Sequence, residues 1–396
     1  MQHVEQQAGA DAPTAANRAS LLEQAEKCLA GPRMRKIFPI LCWLPSYKRE
    51  DLASDLTAGT IVAIMLIPQS MAYALLAGLP PQMGLYASIL PLIVYAIFGT
   101  SRSLGVGPVA IVSLMVSSTL LPMAQPNSAE YIGLAVALSL LSGFILIALG
   151  AIKAGFFTNF MSHPVIAGFT SAAAIIIAFS QFKYLLGIEI GRSSFIPTIL
   201  WETAHKLDTI HVPTLLIAVA SLVLLFGRNR IGASLQRSGL IDDFAADMLP
   251  KAMPLVVVVM ATGLVWWLGL ADKGVKIVGE IPQGLPGIAL PALDLGMVEK
   301  LFVGAFLIAV VGFLESVSVA RTLASKRRQK IVPDQELVAM GASNIASALT
   351  GGYPVAGSFS RSSVNFASGA RTQLSGLVTV LFVIVTLLVL TPALYN

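Results

Sequence analysis

Long charge-free apolar stretches alternate with short charged junctions along this chain. No Asp, Glu, Lys or Arg occurs at 56–101, 103–129, 131–152, 154–182, 212–227, 252–271, 301–314, 337–360 or 372–396. A membrane-spanning helix takes about 20 apolar residues. The first stretch therefore holds two helices, and most of the others hold one. The pattern predicts spans at about 57–76, 83–98, 107–121, 131–151, 163–184, 213–227, 254–270, 301–323, 336–350, 356–367 and 373–391. The third and tenth are short and start at Gly/Pro breaks.

Those two breaks look alike. Residues 105–114 read GVGPVAIVSL and residues 351–360 read GGYPVAGSFS, which puts Pro108 and Pro354 246 residues apart. The same offset carries Pro68-Gln69-Ser70 onto Leu314-Glu315-Ser316. An internal duplication with matched breaks in two hydrophobic halves points to a transporter's binding site near the midplane.

Composition fixes the class. The 396 residues are 56% hydrophobic and 12% charged, against about 25% charged in soluble domains. With the N-terminus inside, 19 of the 26 Lys and Arg fall on the cytoplasmic side, six fall outside, and Arg361 stays in the membrane. That bias follows the positive-inside rule, and it turns the helices at 57–76 and 301–323 in opposite directions. The fold expected is an all-α polytopic membrane protein with a 7+7-type inverted repeat, whose two short half-helices meet at the midplane. The net charge of +5 reflects loop orientation, not nucleic-acid binding. Two cysteines, Cys28 and Cys42, and four scattered histidines suggest no disulfide framework, metal site or other cofactor. No catalytic constellation is visible, so an enzyme is not expected.

Five polar features carry the chemistry. Glu315 follows fourteen residues that are all apolar or glycine. An intramembrane acid is costly and functional by default; it could carry a proton, or be a structural carboxylate paired with Arg321. Arg361 needs an anionic partner, either Glu315 or a substrate anion, unless it snorkels to the cytoplasm. The helix starts after Pro108 and Pro354 each present about half a positive charge and free N–H groups suited to an anion. Proline in a first turn suits such a start, and small residues such as Ala110, Ala356, Gly357 and Ser358 let an anion reach the backbone. Gln69 and Tyr73 lie one turn apart and could offer a neutral polar face. Phe359 could be a pocket wall or core, and His163 reads as a helix-start residue.

Several stretches resemble the SulP anion permeases, the family that includes the solute carrier family 26 proteins. They are DLTAGTIVAIMLIPQSMAYALLAGLPPQMGLYAS at 55–88, FGTSRSLGVGPVA at 98–110, SHPVIAGFTSAAAI at 162–175, FLESVSVAR at 313–321, and QELVAMGASNIASALTGGYPVAGSFSRSSVNFASGARTQLSG at 335–376. The resemblance implies an anion site between the third and tenth helix starts, lined by Gln69, Tyr73, Ser360 and Arg361, with Glu315 as the proton-coupling acid; Ala110 and Phe359 join the expected site from their places at those helix starts. It implies a cytoplasmic region at 1–49, a core at 50–155 and 300–391, and a gate that includes 156–299. It also implies a homodimer in the cell membrane. Against the family pattern, the last three membrane segments and the cytoplasmic STAS domain are absent, leaving the second repeat incomplete. The function expected is secondary active transport of a small oxyanion, sulfate with H⁺. Alternatives are a bicarbonate or dicarboxylate transporter or exchanger, possibly coupled to Na⁺, and a channel-like anion conductance.

Overall fold

The computed structural model describes residues 34, 37–159, 163–190, 196–238, 242–277, 284–288 and 294–390. Its order in the first half is α1 (Arg49–Ala77), α2 (Pro81–Tyr86), α3 (Leu90–Phe98), β1 (Val106–Gly107), α4 (Ala110–Leu120) and α5 (Ala129–Ala151). Five further helices follow among the described residues, two of them short (Phe182–Leu186 and Ile196–His205) and three long: α6 (His163–Ser180), α7 (Val212–Arg237) and α8 (Asp243–Trp267). The second half then repeats the first: α9 (Leu295–Lys326), α10 (Pro333–Leu349), β2 (Ala356–Gly357), α11 (Phe359–Ala367) and α12 (Leu374–Val385).

Each unit is a long helix, a second helix (split into α2 and α3 in the first half), a two-residue strand, a half-helix and a last helix. Each of the eleven spans expected from the sequence overlaps one or more of these elements. The span at 83–98 is broken, because Pro91 near the start of α3 has no N–H to continue the ladder. Cys42 is disulfide-bonded, which corrects the expectation of no disulfide.

The ends of the long helices follow from local chemistry. Asp51 accepts from Lys48 N at 3.1 Å to start α1, and Gly78 closes it at φ 84°, a left-handed position that suits glycine. Ser128 accepts from Tyr131 N at 3.1 Å to start α5, and Asp294 accepts from Met297 N at 2.7 Å to start α9.

Around the half-helices, α5 packs against both α9 and α10. Gly143 of α5 and Gly341 of α10 make that approach possible. A Cβ on either would sit 2.8 Å from the other's carbonyl oxygen, so small residues let the backbones touch. Ser139 adds a bond to Asn344 O (2.9 Å), and Ser142 one to Ala305 O (3.1 Å). Helices α1 and α12 pack in the same way through Gly59, where a Cβ would lie 2.5 Å from Ser375 O.

Candidate functional site

The two half-helices are joined at their starts. Strands β1 and β2 pair antiparallel, with Val106 opposite Gly357 and Gly107 opposite Ala356. Ser358 N donates to Gly105 O at 3.0 Å and Gly105 N to Ser362 Oγ at 2.9 Å, which extends the pairing into α11. The converging helix starts expected from the sequence are therefore present.

The residue register differs from the one that suggested it. Equivalent starts lie 246 residues apart for α1 and α9, but 250 for the strands and 249 for α4 and α11. The junction between α9 and α10 is 327–332, whereas only 78–80 separate α1 from α2. Helix α9 is also three residues longer than α1, so α10 starts 252 residues after α2, and the offset falls back to 250 and 249 at the strands and half-helices. Gln69 and Glu315 are thus equivalent, and Pro108 and Pro354 are not. Neither proline is in a first turn: Pro108 precedes the N-cap Val109, and Pro354 precedes β2.

Arg361, in the first turn of α11, is fully buried at 0% exposure. It does not snorkel. Its Nη1 donates to Pro108 O at 2.7 Å across the helix pair, while Nε and Nη2 have no hydrogen-bond partner. No carboxylate among the described residues lies within 4.0 Å of it. The titratable groups nearest in effect are Tyr73, Tyr353 and Glu315. Gly107, at φ 153°, leaves the space the guanidinium needs, since a Cβ there would lie 3.3 Å from Nη2. An unpaired buried cation is costly, and its field reaches both helix starts.

Around it, Gln69 Nε2 donates to Tyr73 OH at 2.9 Å and lies 3.5 Å from Ser360 Oγ, which is 3.2 Å from Ser358 Oγ. Gln69 Oε1 and Glu315 Oε2 are buried without partners. Ala110 opens α4 and is partly exposed. Phe359 is 58% exposed, so it belongs to no core within this chain. Arg321 donates to Thr158 Oγ1 at 2.6 Å. His163 does begin α6. Gln69, Tyr73, Ser360 and Arg361 are thus gathered at one point, and Glu315 belongs to the same electrostatic neighbourhood.

Sequence reasoning missed the residues that hold this backbone in place. Glu336, buried in the first turn of α10, accepts from Tyr95 OH (2.8 Å), Thr100 N (2.7 Å), Thr100 Oγ1 (2.5 Å) and Ser101 N (3.3 Å). It anchors the chain leading into β1. Asn344 does the same for the approach to β2, bonding both N (3.0 Å) and O (3.1 Å) of Val355. Asp55 accepts from Arg371 N (2.6 Å), Thr372 N (3.1 Å) and Thr372 Oγ1 (2.6 Å) at the start of α12. The only sequence signal was an acid or amide next to an apolar run.

A repeated helix unit with two strand-linked half-helices defines a polytopic membrane protein of the inverted-repeat transporter fold. The chain belongs to the sulfate permease family, which it matches over residues 52–396. Over 357 residues it is 42% identical to Sulfate transporter 4.1, chloroplastic, of Arabidopsis thaliana, covering 90% of this chain and 50% of that protein. The murine Solute Carrier 26 family member A9 anion transporter, solved in the inward-facing state, matches with a TM-score of 0.81 and 28% identity over 91% of this chain and 60% of that one. The transmembrane domain of the cyanobacterial bicarbonate transporter BicA has the same fold, with a TM-score of 0.75 and 22% identity over 88% of this chain and 86% of that one. The chain spans about half the length of the curated relatives it matches.

Proposed function

We propose that this chain is the substrate-binding membrane part of a secondary active transporter, with sulfate as substrate and a proton as coupling ion. The observation that carries the reading is Arg361, a buried cation set between two helix starts with no counter-ion among the described residues. A dianion at the mouth of those helices meets the backbone N–H groups after Val109 and Ser358, the hydroxyl of Ser360, and the polar ends of Gln69 and Tyr73. Ala110 leaves room for it, and Phe359 forms a wall. Because Arg361 is enclosed, it acts on the anion through its field. At roughly 5 Å and an effective dielectric of about 20, that is about 3 kcal/mol per unit charge.

Glu315 is the proton carrier in this reading. Neutral, it leaves the field of Arg361 and the helix ends undiminished. Ionised, it opposes the anion. Proton and sulfate therefore favour one another's binding, as symport requires. The core, 50–155 with 300–391, moves against a gate that includes 156–299, in a cell-membrane homodimer with the N-terminus cytoplasmic. The sulfate transporters among the relatives support the choice of substrate.

The test is equilibrium binding of labelled sulfate to the purified protein, followed by uptake into proteoliposomes under an inward proton gradient. Arg361→Ala should weaken binding by about 100-fold or more, and Glu315→Gln should abolish the response to the gradient. Wild-type affinity in Arg361→Ala would remove the site. Stronger competition by bicarbonate, fumarate or oxalate than by unlabelled sulfate would move the substrate assignment.

A further inference from the structure

Helix α9 holds the half-helix α11 at both ends. At the start, Ser316 Oγ accepts from Gly357 N at 2.7 Å and donates to Gly312 O at 2.6 Å. Its hydroxyl is therefore oriented by a bond on each side. At the far end, Arg327, which closes α9, donates from Nη1 to Ala370 O and brings Nη2 to 3.5 Å from Phe366 O. Its guanidinium also lies 4.4 Å from the centre of the Phe366 ring. Burial pushes the Arg327 guanidinium down to about 10, with Asp55 opposing the shift, so it stays charged at neutral pH.

The spacing fits the helix it grips. Ser316 and Arg327 are eleven residues apart on the sequence, about 16 Å of helix, and the nine residues of α11 span about 13 Å. A helix that short has little stability of its own. A cation at its C-terminus opposes the negative pole of the dipole, and the stacking on Phe366 adds to that.

We propose that Ser316 and Arg327 are positioning residues that clamp α11 onto α9, so that the helix start at Ser358–Arg361 keeps a fixed place relative to Glu315, the neighbour of Ser316. The inference rests on the anion-site reading above. Its consequence is that the coupling acid and the arginine half of the site move as one body. A change at Glu315 is then felt at Arg361 over an unchanging distance.

Two readouts test this on the purified 396-residue protein in detergent micelles: sulfate affinity, and amide hydrogen exchange across residues 359–367. Arg327→Gln and Ser316→Ala should each raise Kd about tenfold and speed exchange in α11. Arg327→Lys, which keeps the charge, should recover most of the affinity. Arg321→Gln, elsewhere on α9, should leave both readouts alone. A purely structural Arg327 would lower the melting temperature and leave the Kd of the folded protein unchanged, and that result overturns the proposal. Wild-type exchange in α11 of Arg327→Gln overturns it too. If Arg327→Gln fails to fold, Ser316→Ala decides in the same way. If the wild-type protein binds no sulfate, the anion reading falls, and exchange alone decides the clamp.

Discussion

Replacing Glu336 tests how the loop that carries β1 is held. Glu336→Ala strips the acceptor from four donors at once: Tyr95 OH, Thr100 N, Thr100 Oγ1 and Ser101 N. The two hydroxyls can turn elsewhere, but the two main-chain N–H groups cannot. Each buried donor left unpaired costs about 1–3 kcal/mol, so the alanine variant should lose about 2–4 kcal/mol or more. Glu336→Gln keeps one oxygen for Thr100 and Ser101, and its amide can donate to the Tyr95 oxygen. It forfeits charge assistance but also sheds the desolvation cost of a buried carboxylate. Its deficit should be about 1 kcal/mol. Equilibrium unfolding in mixed micelles, followed by circular dichroism, measures both. Sulfate affinity should fall in the same order, because a loosened 99–105 segment no longer seats Gly105 and Pro108 against α11. An alanine variant within 1 kcal/mol of wild type, or a glutamine variant less stable than the alanine one, would refute the reasoning.

Two further outcomes follow from packing and capping. Gly341→Leu should separate α5 from α10, because even its Cβ would meet Gly143 O at 2.8 Å and Ile147 Cγ1 at 2.7 Å; a loss of about 3 kcal/mol or more in the same unfolding assay is expected. Gly133→Leu, with open space around it, should be nearly neutral. Val109→Thr places a hydroxyl at the uncapped start of α4, where it can accept from a first-turn N–H; stability should stay within about 1 kcal/mol, and sulfate affinity should fall about fivefold as the new oxygen competes for the same donors. Unchanged affinity in a folded Val109→Thr protein would show that those amides do not meet the anion.

The spans were legible because apolar length and charge gaps are one-dimensional signals. The matched breaks were legible for another reason: Gly and Pro interrupt a helix wherever they fall. The residue register past α9 was not. Pro-Val-Ala recurs at an offset of 246, yet the strands start 250 residues apart. The cause is a longer α9 and a longer charged junction after it, which has no apolar pattern to count, followed by a shorter second helix region. Arg361 and Glu315 stood out because a charge in a spanning segment is rare. Glu336, Asp55 and Asn344 did not, because each sits near the edge of an apolar run and only folding shows what it bonds. The break between α2 and α3 was hidden for a similar reason, since Pro91 reads as one more apolar residue until the backbone needs its missing N–H.

The two halves share a backbone plan but divide the chemistry unequally. In α11, Ser358 accepts from Arg361 N at 3.5 Å, so one first-turn donor is already partly engaged. In α4, the N-cap is Val109 and offers no such acceptor. Helix α4 therefore has the freer amides, while α11 carries the full charge of Arg361, whose Nη1 reaches back to Pro108 O. That single bond ties the cation to the carbonyl just ahead of the freer helix start. On the proposed anion reading, neither half holds a dianion as well alone: one has donors without a countercharge, the other a countercharge enclosed behind its own backbone. An exact repeat would place two arginines in one buried space and repel itself. The divergence of the halves is thus what lets a symmetric scaffold present a single site of net positive field.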